Sequence, residues 1–300
     1  MKKIIVGVDF SSESRQALNV AINWSRVLNL PLKVVHSFHF AVDPALEIAG
    51  GKFSDLKNQL KDQLHQNLTS FCSEVSSDWE QEAGQVEIEI SFEAPYEFHL
   101  QKYATTGPDN LLVVGSRGHG LLHRFAIGST TEKLISRGSV PVLSVKNSNV
   151  FNPKKILVPM TLQQDESSSL LLAIELAGLF GSEVEIIHIH GPAHLLFETG
   201  FPFNDWDNFS KQEKRLKQLA QENLQEILRR YGQMISLSGR ILESDGRSDG
   251  KMLLDIIEKE NPDLVCLSAF SNQQRESLWP MGHTADFLVR RLQCSVLLGK

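Results

Sequence analysis

Cysteine is scarce in this chain. Cys72, Cys266 and Cys294 are the three among 300 residues. They are odd in number, widely spaced and free of any C-x2-C pattern, which excludes a disulfide framework and a thiolate metal site and fits a reducing compartment. Long apolar runs are missing too, so no segment reads as a membrane span. The N-terminal run from Ile4 stops at Asp9, too short for the apolar core of a signal peptide. Basic residues do not dominate: 30 Lys and Arg against 36 Asp and Glu leave a net charge of −6. That balance argues against non-specific nucleic-acid binding, which needs a basic face. These absences set the expectation of a cytoplasmic globular protein with neither nucleic acid nor membrane as partner. A hydrophobic fraction of 41% allows a core of ordinary size, and the length predicts about two domains.

The chain reads as a tandem repeat. Lys2-Lys3-Ile4-Ile5-Val6-Gly7-Val8 returns as Lys154-Lys155-Ile156-Leu157-Val158-Pro159-Met160, and the same offset of 152 carries Ala21 to Ala173 and His36 to His188. Val140-Pro141-Val142-Leu143 returns near the end as Cys294-Ser295-Val296-Leu297. Two copies of one unit explain this better than chance. The units are expected at 1–147 and 154–300, joined by a short polar linker.

Within the first copy, apolar runs alternate with helical patterns. Ile4 to Val8, Leu32 to Val35, Leu111 to Val114 and Val142 to Val145 read as buried strands. Val86, Ile88, Ile90 and Phe92 alternate with Glu87, Glu89 and Ser91, as suits a sheet edge. Ser11 and Ser12 can cap a helix carrying Ala17, Ala21, Trp24 and Leu28. Leu56, Leu60, Leu64, Leu68 and Phe71 stripe a long second helix, and a short one is expected over Tyr96–Tyr103. Such alternation predicts an α/β fold with a mostly parallel sheet, and such sheets take ligands beyond the carboxyl ends of strands where the strand order reverses.

One segment points to a ligand. The strand Leu111–Val114 runs into Gly115-Ser116-Arg117-Gly118 and then, nine residues on, Gly128-Ser129-Thr130 at the head of a helical stretch. A glycine-rich loop between a buried strand and a helix N-terminus presents backbone N–H groups to an anion. Hydroxyls at Ser129 and Thr130 add donors. The Walker pattern is absent, since no Gly-Lys-Ser/Thr occurs, and Gly118-His119-Gly120 lacks the third glycine of the dinucleotide fingerprint. A glycine-rich surface loop without a ligand is the bland alternative.

This loop, with Val8-Asp9 ending the first strand and a capped helix after it, resembles the ATP-binding branch of the universal stress protein family. The likeness covers the whole chain as two fused units. It implies two tandem five-stranded open parallel-sheet units of order 3-2-1-4-5. It further implies that the first unit binds ATP, with magnesium, as a stress-response sensor or regulatory switch. On that resemblance Val8 and Asp9 belong to the nucleotide site, with Asp9 holding the ribose hydroxyls. Main chain near Ser37 and Val114 meets adenine, Gly115 lies by the ribose, and Gly118, Gly128, Ser129 and Thr130 hold the phosphates. No catalytic residue and no protein-held metal is expected, and turnover of ATP is expected to be slow or absent. The last strand of each unit would pair with its counterpart, giving an intramolecular pseudo-dimer, with a further homodimer as an option. The alternatives are a slow ATPase and a non-nucleotide module whose second unit captures a partner protein or a small apolar ligand.

The second unit departs from the pattern. Thr161 stands for Asp9, and either Ala269 and Asn272 or, with a shift of one, Ser268 and Ser271 stand for Gly115 and Gly118. Gly282 and Thr284 match Gly128 and Thr130, with His283 in place of Ser129. No ATP, or a different ligand, is expected there. Among Arg117, His119, His123 and Arg124, one is expected to touch phosphate. His188, His190 and His194 could suit zinc, but the match of His188 to His36 favours a shared structural histidine. The aromatic run Phe197, Phe201, Phe203, Trp206 and Phe209 reads as a lid on its own domain, with a docking surface as the sharper alternative.

Overall fold

The computed structural model describes residues 1–38, 51–82, 85–92, 96–105, 109–116, 134, 139–162, 167–191, 206–269 and 282–299. The chain divides into two compact units, Met1–Phe151 and Asn152–Lys300. The first unit contains β1 (Lys3–Gly7), α1 (Ser12–Leu28), β2 (Leu32–Ser37), α2 (Gly51–Val75), α3 (Trp79–Glu82), β3 (Val86–Ser91), α4 (Tyr96–Thr105), β4 (Asn110–Gly115) and β5 (Val142–Val145). Its strands are parallel and ordered β3-β2-β1-β4-β5. The second unit contains β6 (Lys155–Pro159), α5 (Ser168–Phe180), β7 (Glu183–His190), α6 (Trp206–Tyr231), β8 (Ser236–Glu243), α7 (Asp249–Glu260), β9 (Leu264–Ser268), α8 (His283–Arg291) and β10 (Ser295–Gly299). Its order is β8-β7-β6-β9-β10, again parallel, so both units have the expected 3-2-1-4-5 arrangement.

The central strands are buried because helices cover both faces of a parallel sheet. Ile4, Ile5 and Val6 of β1 and Leu111, Leu112 and Val113 of β4 are out of contact with water. The α1 stripe fills the space above them, with Ala17, Ala21 and Trp24 fully buried. The Ser11 side chain caps the helix by accepting from the Ser14 N–H, and Asn29 closes it in the left-handed region. Linker residues 147–153, which read as merely polar, do more than connect. Ser148–Phe151 form a 3-10 turn. The Val150 carbonyl accepts from Trp24 Nε1 at 3.0 Å, and the Phe151 carbonyl accepts from Asn23 Nδ2 at 2.6 Å. This turn therefore packs with the first unit.

Edge strand β3 shows how a charged residue enters an apolar strand. Lys33 interrupts the run of β2 and is only 7% exposed. Its ammonium lies 2.7 Å from Glu87 and 2.5 Å from Glu89 on β3. Glu89 also accepts from Tyr103 Oη at 2.5 Å and lies 2.7 Å from His99 Nε2. Burial opposes ionisation of Glu89, yet Lys33 and the Tyr103 hydroxyl outweigh it and hold the carboxyl down at about 2. The second unit keeps an ion pair at the matching positions with the signs exchanged. Glu185 on β7 replaces Lys33, Arg240 on β8 replaces Glu89, and their charged groups lie 3.1 Å apart.

Because the folded-state carboxyl of Glu89 is depressed, its contribution is complete above its ordinary value of 4.5 and is lost as pH falls toward about 2. Glu89→Gln is expected to destabilise the protein by about 2 kcal/mol at neutral pH, with the deficit shrinking across that acid window. Urea unfolding of both proteins at a series of pH values checks this.

Candidate functional site

Parallel pairing decides where the candidate residues go. Strand β1 lies between β2 and β4, with Gly7 beside Val35 and Val6 beside Val113. Continuing each strand by one or two residues brings Val8, Asp9, Ser37, Val114 and Gly115 to one end of the sheet. This end is the switch point, since α1 leads from β1 to one neighbour while β4 arrives from the far side. Gly118, Gly128, Ser129 and Thr130 lie outside the described residues, as do Arg117, His119, His123 and Arg124.

The turn after β1 is tightly fixed. The Val8 N–H donates to the Val35 carbonyl at 2.9 Å. The Val8 carbonyl lies 2.7 Å from His36 Nδ1, and because the partner is a carbonyl the ring nitrogen carries the proton. Both main-chain groups of Val8 are thus engaged within the fold. Burial pushes the His36 imidazole below its ordinary value, outweighing the Val8 carbonyl and the Asp9 charge, which both favour protonation. Asp9 is half-buried, and its Oδ1 accepts from the Ser11 N–H at 3.1 Å and from the Ser11 hydroxyl at 2.5 Å. That is an Asx-turn leading into the helix cap.

Between them Phe10 adopts φ +63°, a left-handed conformation that is an outlier for a bulky side chain. Its ring packs 4.7 Å from His36 and meets Phe71 of α2 edge-on at 5.3 Å. Strain of this kind persists only where the surroundings over-determine it, and here the ring contacts and the Asp9–Ser11 turn do so.

Gly115 has a physical reason to be glycine. A Cβ there would come within 2.8 Å of the Glu13 carbonyl carbon and 2.9 Å of its oxygen. The first turn of α1 therefore rests directly on the end of β4. This also brings Glu13 to the site, with its carboxylate accepting from Ser12 Oγ at 2.7 Å. Glu13, which the sequence pattern did not single out, thus joins Asp9 as a second carboxylate at this end of the sheet. The signal available was its place in the first turn of a helix that starts at the switch point. Phe10 and His36 were likewise missed as parts of the turn.

The second unit differs in three ways. Strand register sets Ser268 at the place of Gly115: Gly115 pairs with Val145, Ser268 with Gly299, and Ser116 and Ala269 make matching bonds across to those residues. This decides for Ser268 over Ala269. Ser268 Oγ lies 3.0 Å from Ser169 Oγ, which lies 2.9 Å from Ser167 Oγ. Helix α5 has 13 residues where α1 has 17, although Gly181 and Asn29 end them at the repeat spacing. The shortfall is therefore one turn at the N-terminal end. Thr161, at the place of Asp9, is exposed.

His188 Nδ1 lies 3.2 Å from the Met160 carbonyl, repeating the His36–Val8 bond, so both histidines fasten the end of a first strand. Among the described residues no group of three or more His, Cys, Asp or Glu could hold a metal. His194, Ser271, Asn272, Phe197, Phe201 and Phe203 lie outside the described residues, and the side chains of Trp206 and Phe209 are likewise not described. No described helix is long and apolar enough to cross a membrane.

Two alanine substitutions should move stability in opposite directions. Gly115→Ala places a methyl against backbone and is expected to cost about 1–3 kcal/mol. Gly178, exposed within α5, has nothing within 4 Å of an added Cβ, and Gly178→Ala is expected to stabilise by about 0.5–1 kcal/mol. Denaturant midpoints of the two variants in the absence of nucleotide check this.

Comparison with known proteins agrees with the duplicated architecture. A solved universal stress protein from Archaeoglobus fulgidus superposes with a TM-score of 0.63 at 16% identity, covering 99% of this chain and 98% of that one. A functionally unknown protein from Pseudomonas aeruginosa superposes at 0.60 with 14% identity, covering 100% and 92%. At these identities the likeness concerns the fold. The stress response protein NhaX of Bacillus subtilis is 26% identical over 162 residues, covering 48% of this chain and 97% of NhaX. The universal stress protein family matches residues 1–146 and again 152–300, and the chain belongs to that family.

Proposed function

We propose that the first unit binds ATP as its magnesium complex and serves as a regulatory switch in a stress response. The observation that carries this reading is the meeting of Asp9 and Gly115 at the adjacent ends of β1 and β4. Asp9 offers carboxylate oxygens to ribose hydroxyls, which is the acceptor chemistry they need. Main chain near Ser37 and Val114 would flank the base. Gly118, Gly128, Ser129 and Thr130 would supply N–H and hydroxyl donors to the phosphates.

Magnesium is compatible with the donors present. It prefers oxygen ligands and commonly takes one or two carboxylates together with substrate phosphates. Glu13, beside Gly115, puts a second carboxylate at this end of the sheet. When bound, the metal would supply positive charge against the phosphates. Glu13 would repel free nucleotide more than the metal complex, and so would favour the complex. A hydrolytic role is a weaker reading, because Asp9 is committed to the Ser11 turn and to ribose.

The second unit is proposed not to bind ATP. Thr161 lacks the paired acceptors of a carboxylate, and Ser268 puts a side chain where Gly115 has none.

Calorimetric titration of magnesium ATP is expected to give one site per chain. Asp9→Asn keeps the size of the Asp9 side chain but loses the charge, and is expected to weaken binding about tenfold to a hundredfold. Glu13→Gln is expected to raise the affinity for metal-free ATP relative to the magnesium complex. Two equal sites would overturn the assignment to the first unit. No heat, with no nucleotide retained through purification, would overturn the nucleotide reading.

A further inference from the structure

A cavity lies at the outer edge of the first unit's sheet, at the end of β3. Its volume is about 300 Å³, and its walls include Lys57 and Lys61 of α2, Glu89 and Phe92 at the end of β3, and His99 and Lys102 of α4. β3 stands three strands from β4, about 14 Å across the sheet at ordinary strand spacing. Its wall at Ser91 pairs with Ser37, so the cavity borders the outer edge of the proposed nucleotide site without including Asp9 or Gly115.

Its charge is out of keeping with the chain. The whole sequence carries −6, yet among the described residues this wall gathers three lysines around one carboxylate. That carboxylate is committed elsewhere. Glu89 holds the Lys33 ammonium at 2.5 Å, accepts from Tyr103 Oη at 2.5 Å and lies 2.7 Å from His99 Nε2. Lys33 is nearly buried and cancels the Glu89 charge locally. Among the described residues neither Lys57 nor Lys61 forms an ion pair. The Lys57 ammonium instead lies 5.9 Å from the centroid of the Phe92 ring.

The cavity thus combines a cationic rim from two helices, a rigid hydrogen-bonded wall and one aromatic face. Concave sites of a few hundred Å³ with an apolar wall and a few convergent polar groups are the form that small-ligand sites take. We propose that this cavity binds a small organic anion, with its carboxylate or phosphate group between Lys57, Lys61 and Lys102 and its apolar body against Phe92. Lysine suits such a role because its ammonium is a mobile point charge that adapts to either anion. The alternative occupant is an acidic peptide laid along the edge of β3, which the macromolecular control below distinguishes.

The test uses the full chain, isotope-labelled, with phenyl phosphate as the probe. Inorganic phosphate and benzyl alcohol serve as anion-only and apolar-only controls, and a hexaglutamate peptide as the macromolecular control. Phenyl phosphate is expected to shift the amide signals of Phe92 and His99 saturably, with both halves of the probe needed for full affinity. The double variant Lys57→Ala, Lys61→Ala is expected to weaken it at least tenfold, and added salt should weaken it in the wild type. Both lysines are exposed, so the variant should keep the wild-type melting temperature. Benzoate should bind alongside phenyl phosphate if carboxylates are accepted, whereas phosphate selectivity would show as benzoate failing. The proposal is overturned if phenyl phosphate gives no saturable shift, or if the double variant binds it equally well. It is also overturned if the shifts fall at the ends of β1 and β4, or if hexaglutamate binds in a lysine-dependent way while phenyl phosphate does not.

Discussion

The first turn of α1 rests on the end of β4, and the candidate site is built around that contact. Backbone of Glu13 comes so close to Gly115 that no Cβ fits between them. A helix set down at that depth leaves little room for the chain leaving β1. It must turn within Asp9, Phe10 and Ser11, and it does so with an Asx-turn at Asp9 and a left-handed Phe10. The strained residue is held by its own ring, wedged between His36 and Phe71. His36 in turn fastens the Val8 carbonyl. Removing the Cβ at one position of β4 thus allows a chain of contacts that fixes the orientation of the Asp9 carboxylate. A glycine that reads in the sequence as room for phosphate is also, in the fold, room for a helix.

Much of the architecture was legible in the sequence, for a definite reason. Strands buried on both faces must be continuously apolar, as Ile4–Val6 and Leu111–Val114 are, and an edge strand must alternate, as Val86–Ser91 does. Ser11 was readable as a cap because a hydroxyl before an amphipathic stretch satisfies an orphan N–H. Other features carried no local signal. Lys33 sits in an otherwise apolar run, and only the register with β3 shows that Glu87 and Glu89 await it. Glu13 carries no signal of its own in the sequence, and only the contact of its backbone with Gly115 brings it to the site. The polar linker concealed Val150 and Phe151, whose carbonyls serve side chains more than a hundred positions earlier. In each case the partner is distant in sequence, and periodicity reports only on neighbours.

Comparing the two units separates what the scaffold requires from what a site requires. Both keep the strand order, a left-handed helix end at Asn29 and Gly181, and a histidine bonded to the last carbonyl after the first strand. Both keep an ion pair between second and third strands, but its sign is exchanged. An exchange is tolerated there because a pair of opposite charges stabilises equally in either orientation, whereas loss of one partner leaves a charge uncompensated. What varies without compensation is the N-terminal turn of the first helix and the residue beneath it. In the second unit helix α5 begins at Ser168, the close approach lies at Gly299, where a Cβ would meet Ser168 and Ser169, and Ser268 occupies the place of Gly115 with its hydroxyl bonded to Ser169. The loss of the glycine and the later helix start are thus two aspects of one change. Where the tight backbone approach of the helix falls on Gly299, the position at the end of β9 accommodates a Cβ. A serine can then fill the gap and bond to the hydroxyls of the displaced cap. A sheet of the same order, covered in the same way, therefore ends in two different surfaces, and the difference traces to where one helix begins.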